Sequence, residues 1–380
     1  MPGLTDLAGD LAATLTVAGM TYGLTATTLT ARMLSRRSPS ATDFPPVTLL
    51  KPLHGAYPGM GEVLEAFCDQ DYPAPVQLLF GVQDAADPAI AVVEALIARR
   101  PDADIALICD ATPHGTNRKI SNVINIAASA RHDVLVLSDA DILVPPSWLR
   151  QVATALGGEG VGAVTCFYVG QDDGSWWSRL GAMAVSYGFL PNAVLGKTFG
   201  LAEPCFGSTI ALRAETLAAM GGFQAFNDHL ADDFEIGRAV RALGLTIAAP
   251  AMVVRHLGQE GDLGALFDHE LRWGRTVRQI DPGGYAGSVI TNPLPLALIA
   301  AALLGFSPWG LGLIFTTLGV RIACKFAMDR VTGTSAGRWW MIPARDVLSF
   351  CVFVASFAVN TVGWQGRRFR VGRNGVLSHP

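Results

Sequence analysis

The stretch "DVLVLSDADILVPP", residues 133 to 146, decides the fold. Val134-Leu135-Val136-Leu137 is a short apolar run of branched side chains, the pattern of a strand buried on both faces inside a parallel sheet. It ends abruptly in Ser138-Asp139-Ala140-Asp141. Open α/β sheets bind ligands at the carboxyl ends of their strands, so Asp139 and Asp141 stand where a ligand would sit. Two carboxylates one residue apart at such an edge need positive charge to face.

The flanking sequence repeats the pattern. "PPVTLLKPLHG" predicts a first strand, Val47 to Leu50, with Lys51 at its exit, and "VQLLFGVQDAADPA" a second that ends in Gln83-Asp84. "DIALICD" predicts a third, and "GEVLEAFCDQDYP", "AIAVVEALIARRP" and "NRKISNVINIAASA" between the strands have helical spacing. This alternation predicts a mostly parallel sheet covered by helices on both faces. Further on, "GVGAVTCFYVG" and "CFGSTIALR" read as strands. "SWWSRLGAMAVSYGFLPNAVLG" reads as a helix, packed in the core or lying at a membrane interface.

Asp232 and Asp233 open a helix, where capping and a favourable dipole contact are the ordinary explanation. "LFDHELRWGRTVRQ" is a helix with His269, Arg272, Arg275 and Arg278 on related turns. Its ordinary role would be to bind anionic headgroups beside a membrane.

Only 16% of the 380 residues are charged, against roughly 25% in soluble domains, and 50% are hydrophobic. With a mean hydropathy of +0.35, part of the chain is expected in lipid. A net charge of -4 gives no reason to expect nucleic acid as a partner. Cysteines 68, 109, 166, 205, 324 and 351 are scattered without a CxxC pair, which suits a reducing compartment and offers neither a disulfide framework nor a zinc site.

Leu11 to Ala31 carries no charge and is followed by Arg32, Arg36 and Arg37, which predicts a retained anchor with the next domain on the cytoplasmic side. The uncharged run from Pro282 to Val320 predicts two spans, or one span and a re-entrant piece. Val347 to Gly366 predicts one more. A tail with Arg367, Arg368, Arg370 and Arg373 belongs in the cytoplasm, which requires an even number of C-terminal crossings. The expected organisation is an anchor at 1–38, a catalytic domain at 45–280, membrane segments at 281–366 and a basic tail at 367–380.

These residues suggest a chemistry. Mg2+ is typically held by one or two carboxylates together with the phosphates of its ligand, a part that fits Asp139 and Asp141. The planar fork of Arg272 suits a departing diphosphate, and Asp233 could act as general base on a hydroxyl. No Walker loop and no GxGxxG is present, so a P-loop NTPase or a Rossmann dehydrogenase is not supported.

Taken in order, "LLKPLHG", "GVQDAADPAI", "GTNRKISN", "LSDADILVPP", "PCFGSTIALR", "GGF", "HLADDFEIG", "LRWGRTVR" and "GRRFRVGRNG" resemble the ceramide glucosyltransferase family of membrane glycosyltransferases. The similarity is greatest to its bacterial branch associated with hopanoid biosynthesis. The resemblance implies an α/β fold of GT-A type with N- and C-terminal transmembrane helices, in a multi-pass protein of the bacterial inner membrane facing the cytoplasm. It implies inverting transfer from a UDP-sugar, with Mg2+ or Mn2+, to a membrane lipid hydroxyl.

Position by position, Asp84 resembles the family aspartate that contacts the nucleotide. Asp139 resembles the one beside metal and diphosphate, with Asp141 completing D-x-D, and Asp233 resembles the catalytic base. Arg272-Trp273 resemble the end of the (Q/R)xxRW motif, in which His269 departs from the Gln or Arg. Lys119 and Asn122 resemble positions that face the diphosphate or sugar.

The hopanoid branch implies UDP-GlcNAc as donor and a polyol such as bacteriohopanetetrol as acceptor. The rivals are a ceramide glucosyltransferase using UDP-glucose, a polysaccharide synthase, and a nucleotide-sugar-binding scaffold without turnover.

Overall fold

The computed structural model describes residues 4–36, 43–203 and 205–358, and, for backbone only, 361–364, 367–371 and 377–378. Arg37 and Arg373 lie outside the described residues. A long helix α1 (Leu4–Leu34) precedes the α/β region. There β1 (Val47–Pro52), α2 (Met60–Glu65), β2 (Val76–Val82), α3 (Ala89–Arg99), β3 (Asp104–Cys109), α4 (Arg118–Ala127) and β4 (Val134–Leu137) alternate as the apolar periods dictate. After β4 come the short β5 (Ile142–Leu143), α5 (Trp148–Leu156), β6 (Val161–Thr165) and β7 (Phe167–Gln171).

Next, α6 (Trp176–Ala184) runs through a π-helical turn at Val185–Phe189 into α7 (Leu190–Thr198). The α/β region closes with β8 (Ile210–Arg213), α8 (Ala214–Ala219), α9 (Asp232–Ala242), β9 (Thr246–Ala248), β10 (Val253–Leu257) and α10 (Leu263–Ile280).

Seven strands form one sheet in the order β3-β2-β1-β4-β8-β6-β9. Only β8 runs against its neighbours, so the sheet is mostly parallel, as expected. The strands β1 and β4 are buried along their whole length. One face packs on α2, α3 and α5 around Phe67, Phe80 and Trp148, and the other on α4 and α9 around Ile120, Ile126 and Ile236.

The stretch "GVGAVTCFYVG" is two strands and not one. The chain leaves the main sheet at Cys166, whose carbonyl accepts a hydrogen bond from Ser208 Oγ at 2.8 Å, and β7 joins a second sheet in the order β5-β10-β7. A strand period alone does not show where a chain changes sheets. Leu180, Met183, Tyr187, Leu190 and Val194 of the aromatic segment are buried in a third apolar cluster, together with Leu266, Met328, Met341 and Ile342. That cluster joins the α/β region to the C-terminal helices.

Those helices are α11 (Pro282–Gly287), α12 (Pro293–Leu303), α13 (Pro308–Thr332) and α14 (Ile342–Ala358). Pro308–Thr332 and Trp339–Ala358 are each long and apolar enough to cross a membrane. Pro282–Thr291 and Pro293–Leu303, bent by 69° at their junction, would together make a third candidate.

Two membrane expectations change. The last apolar helix begins before Val347 and ends at Ala358, after which the backbone forms β11 (Thr361–Trp364), β12 (Arg367–Val371) and β13 (Leu377–Ser378). The N-terminal helix is longer than Leu11 to Ala31 but is not among the helices apolar enough to cross. Six of its threonines, from Thr14 to Thr30, each donate a hydroxyl to the carbonyl four residues earlier. Such back-bonding satisfies the hydroxyls within the helix. The helix packs on α7, α12 and α13.

The junction between β7 and α6 permits no side chain at Gly170, where a Cβ would lie 2.4 Å from the Ala182 Cα. Gly170→Ala should therefore lower the melting temperature of the detergent-solubilised protein, through about 1–3 kcal/mol of overpacking. An unchanged melt would mean that α6 can shift freely on the sheet.

Candidate active site

The loop after β4 carries Asp139 and Asp141 out of the sheet, and each meets a different partner. Lys119, in the first turn of α4, places its Nζ 2.7 Å from Asp139 Oδ1 and 3.0 Å from Asp232 Oδ2. That turn is fixed by Asn117, the N-cap, whose side chain accepts the Ile120 N–H at 3.0 Å. The same Asn117 donates to the His229 carbonyl at 2.8 Å, which ties α4 to the loop before α9.

Asp141 faces His256, with Nε2 3.4 Å from Oδ2. The pairing of β5 with β10 sets His256 opposite Ile142, and the Leu257 N–H donates to the Asp141 carbonyl at 2.9 Å.

Gly207, just before β8, is the centre of the arrangement. Its carbonyl accepts the Asp139 N–H at 3.0 Å, and its own N–H donates to Asp233 Oδ2 at 3.1 Å. A Cβ here would lie 2.4 Å from Asp139 Oδ2 and 3.1 Å from Lys119 Nζ. A side chain here would crowd the Asp139 carboxylate and the Lys119 ammonium. Beneath them, Lys51 is fully buried, donates to the Asp139 carbonyl at 2.5 Å and lies 3.9 Å from the centre of the Phe67 ring.

Crowding sets the electrostatics. Burial raises the Asp139 carboxyl, opposed by the Lys119 charge. Burial also pushes up Asp141, but His256 and Lys51 outweigh it and hold that carboxyl at about 2. Burial and the neighbouring Asp232 charge raise Asp233 to about 6. Burial pulls the Lys119 ammonium down, yet Asp139, Asp232 and Asp233 keep it well above its ordinary value. Burial lowers Lys51 to about 7 against the pull of Asp141 and Asp139. The cluster thus offers a permanently ionised carboxylate, Asp141, and one poised near neutrality, Asp233.

The basic helix α10 lines the other side. Burial lowers the Arg272 guanidinium, while the Asp141 and Asp139 charges support it. Among the described residues it has no ion pair. His269 Nδ1 lies 2.7 Å from Glu260 Oε1, and its ring stands edge-on to Trp273 at 4.6 Å. Tyr168 of β7 stacks on Phe189 at 4.6 Å, and its hydroxyl is pushed well above its usual value by burial and by Asp233, Asp139 and Asp141.

Two expected residues stand apart from this cluster. Asn122 is buried and donates to the Gly81 and Leu53 carbonyls at 2.8 and 3.3 Å, joining the ends of β1 and β2. Asp84 is exposed just past β2, where its Oδ1 accepts the Ala86 N–H at 2.9 Å.

Sequence reasoning missed Lys51, Tyr168, Gly207, Asp232 and His256 as members of the site. The sequence carried a signal for Asp232, adjacent to Asp233, and for Gly207, inside "CFGST" ahead of a strand. His256 had none, because only the β5–β10 pairing brings it to Asp141.

No three His, Cys, Asp or Glu side chains among the described residues are arranged as a ready metal cage. The donor set nonetheless fits a divalent cation that takes its remaining ligands from phosphates, because Asp141 Oδ1 is buried without a hydrogen-bond partner. A cavity of about 290 Å3 meets this cluster at His256. His256, His269 and Trp273 line it on one side, Phe189 and Pro191 on another, and residues of α1, α13 and α14 complete it.

The family model for glycosyl transferase family 21 matches residues 11–377. Ceramide glucosyltransferase 1 of Caenorhabditis elegans is 21% identical over 346 residues, covering 88% of this chain and 73% of that relative. The ceramide glucosyltransferase of Komagataella phaffii is 32% identical over 115 residues, 29% of this chain and 22% of the relative. Among solved structures, a mannosyltransferase from Pyrobaculum calidifontis in complex with GDP-Man and Mn2+ is similar in fold, with a TM-score of 0.51 at 19% identity, over 92% of this chain and 99% of the other. The α/β region thus has a GT-A-like fold.

Gly207→Ala should lower sugar transfer at least tenfold by displacing the Asp139 carboxylate, with the melting temperature little changed. Product formation and a thermal melt, run side by side, check this. Full activity in the variant would show that Asp139 tolerates displacement.

Proposed function

The chain belongs to glycosyl transferase family 21, and from that premise we propose that it moves a sugar from a UDP-sugar to a lipid hydroxyl, with inversion, by a single in-line displacement. The observation that carries this reading is the grouping of Asp139 and Asp233 on Gly207, with Asp141 held against His256, which itself lines a cavity that reaches the apolar helices. In this reading the acceptor enters through that cavity, between the segment around Phe189 and α10. Its hydroxyl approaches Asp233, which takes the proton as the new glycosidic bond forms and the bond from the anomeric carbon to the diphosphate breaks. A carboxyl raised to about 6 is half ionised near that pH, and so can hold a proton taken from the acceptor.

Asp139 and Asp141 would hold a divalent cation, Mg2+ or Mn2+, which when bound supplies positive charge against the departing diphosphate. Arg272, without an ion pair of its own among the described residues, donates to the same leaving group. Lys119, already shared by two carboxylates, neutralises the cluster and lies within reach of the phosphates. Asp84 contacts the nucleotide, and His269 with Trp273 borders the acceptor. Asn122 contributes by fixing the strand ends.

The donor is proposed to be UDP-GlcNAc and the acceptor a hopanoid polyol such as bacteriohopanetetrol, in a multi-pass protein of the bacterial inner membrane with this site facing the cytoplasm. A ceramide glucosyltransferase using UDP-glucose is the second reading, favoured by the names of the curated relatives.

The test offers UDP-GlcNAc and UDP-glucose against bacteriohopanetetrol and ceramide to purified protein in detergent, with products read by mass. A GlcNAc-hopanoid is expected, and glucosylceramide would establish the second reading. Chelation should abolish transfer and added Mg2+ or Mn2+ restore it; transfer indifferent to a chelator would remove the cation from the mechanism.

Asp233→Asn should keep UDP binding while lowering kcat by about 10²–10⁴. In the unaltered protein, kcat/KM should rise with pH through about 6, as Asp233 loses its proton, and then level off. A profile flat from pH 5 to 8 would exclude Asp233 as the base.

A further inference from the structure

The cavity beside the catalytic cluster is not walled only by hydrocarbon. At its helical side the guanidinium of Arg321, in α13, meets the carboxylate of Asp346, in α14, through two parallel hydrogen bonds, Nε to Oδ2 at 2.9 Å and Nη2 to Oδ1 at 2.8 Å. Both residues line the cavity, and so do Asn292 and Ser349. Asp346 is buried and Arg321 largely so. Asp346 engages Nε and Nη2 only; Nη1 has no hydrogen bond among the described residues. Charged groups in helices apolar enough to cross a membrane are costly and are expected to face a polar cavity or a functional partner. A hydrocarbon chain laid against this wall would desolvate the pair and return no hydrogen bonds. A chain bearing hydroxyls would return them.

We propose that the Arg321–Asp346 pair is an acceptor-recognition site, binding a hydroxyl or amide of the lipid headgroup other than the one that reacts. The acceptor class is therefore a lipid whose head carries several hydrogen-bonding groups, and a simple fatty alcohol is a poor ligand. This rests on the reading that the acceptor occupies the cavity. The pair also holds α13 to α14, and a purely structural role predicts a different outcome in the following test.

The experiment measures binding, so its failure is separable from failure of the transfer reading. Protein in phosphatidylcholine nanodiscs is titrated with a long-chain alkyl glycerol ether and with the matching fatty alcohol, following the fluorescence of the protein's tryptophans, Trp273 of the cavity wall among them. The unaltered protein should bind the glycerol ether at least tenfold more tightly. The double variant Arg321→Met/Asp346→Leu replaces the buried pair by apolar residues of similar volume, an exchange often tolerated by folding. It should lose the preference while UDP affinity is kept.

Arg321→Lys keeps a charge opposite Asp346 but removes the fork, and should lower the preference several-fold; it carries the test if the double variant does not fold. An unaltered protein with no preference, or folded variants that retain it, would overturn the inference and leave the proposed transfer intact. A preference that disappears in the variants, in a protein that transfers sugar to no lipid offered, would uphold binding of a polar lipid head at the pair and overturn the proposed transfer, and with it the name acceptor for that lipid.

Discussion

Four carboxylates crowd at one edge of the sheet, and the Lys119 ammonium between Asp139 and Asp232 is the contact that makes the crowding tolerable. Two like charges about 4 Å apart repel by about 4 kcal/mol at an effective dielectric of about 20. Without an opposing charge, such a group would shed ionisation by taking up protons, and the edge would lose its negative field. Lys119, His256 and Lys51 supply that opposition from three different elements. The balance leaves the carboxylates unequal. Asp141 is held ionised at about 2, whereas Asp233, farther from the cations and next to Asp232, is left at about 6. Unequal carboxylates allow different roles, one electrostatic and one that exchanges a proton.

Backbone geometry sets these distances. Gly207 is hydrogen-bonded to Asp139 through its carbonyl and to Asp233 through its N–H, and its lack of a side chain leaves room for the Asp139 carboxylate. Its position follows from β8, the strand that runs against its neighbours, because its start then lies beside the end of β4. The change of sheet at Cys166 sends β7 alongside β10, and β10 in turn carries His256 to Asp141. One irregular strand connection thus assembles both the pairing that orders the acidic loop and the aromatic wall of Tyr168 and Phe189.

The membrane-facing half has a similar logic. The third apolar cluster fastens α6, α7 and α10 to the ends of α13 and α14, so the cavity runs from His256, beside the acidic cluster, to the apolar helices. His269, Glu260, Arg321 and Asp346 all line that cavity, which is the polar complement that the proposed headgroup site uses. The π-helical turn at Val185–Phe189 forms part of the wall, and Tyr187 within it is bonded to Asp329 and to the backbone of Ala336. That network anchors the turn to the helical half.

The sequence by itself determined the alternating strands and helices, the strand that ends in Asp139 and Asp141, Asp233 at a helix start and the Arg272 helix. Each of these is written in local periodicity or in a short run of charges. It also marked the apolar C-terminal helices, although their ends shifted, because an uncharged run does not fix where a helix starts. Only the tertiary structure decided the rest. His256 meets Asp141 through a pairing of distant strands, Asn122 turns to the backbone and away from the cluster, and one apparent strand divides between two sheets. The N-terminal helix, read from its lack of charge as an anchor, carries too many back-bonded threonines to count as a span by apolarity. Periodicity reports which face of an element is buried, but not which distant element buries it. A site made of contacts between distant elements is therefore complete only when the sheet order is known.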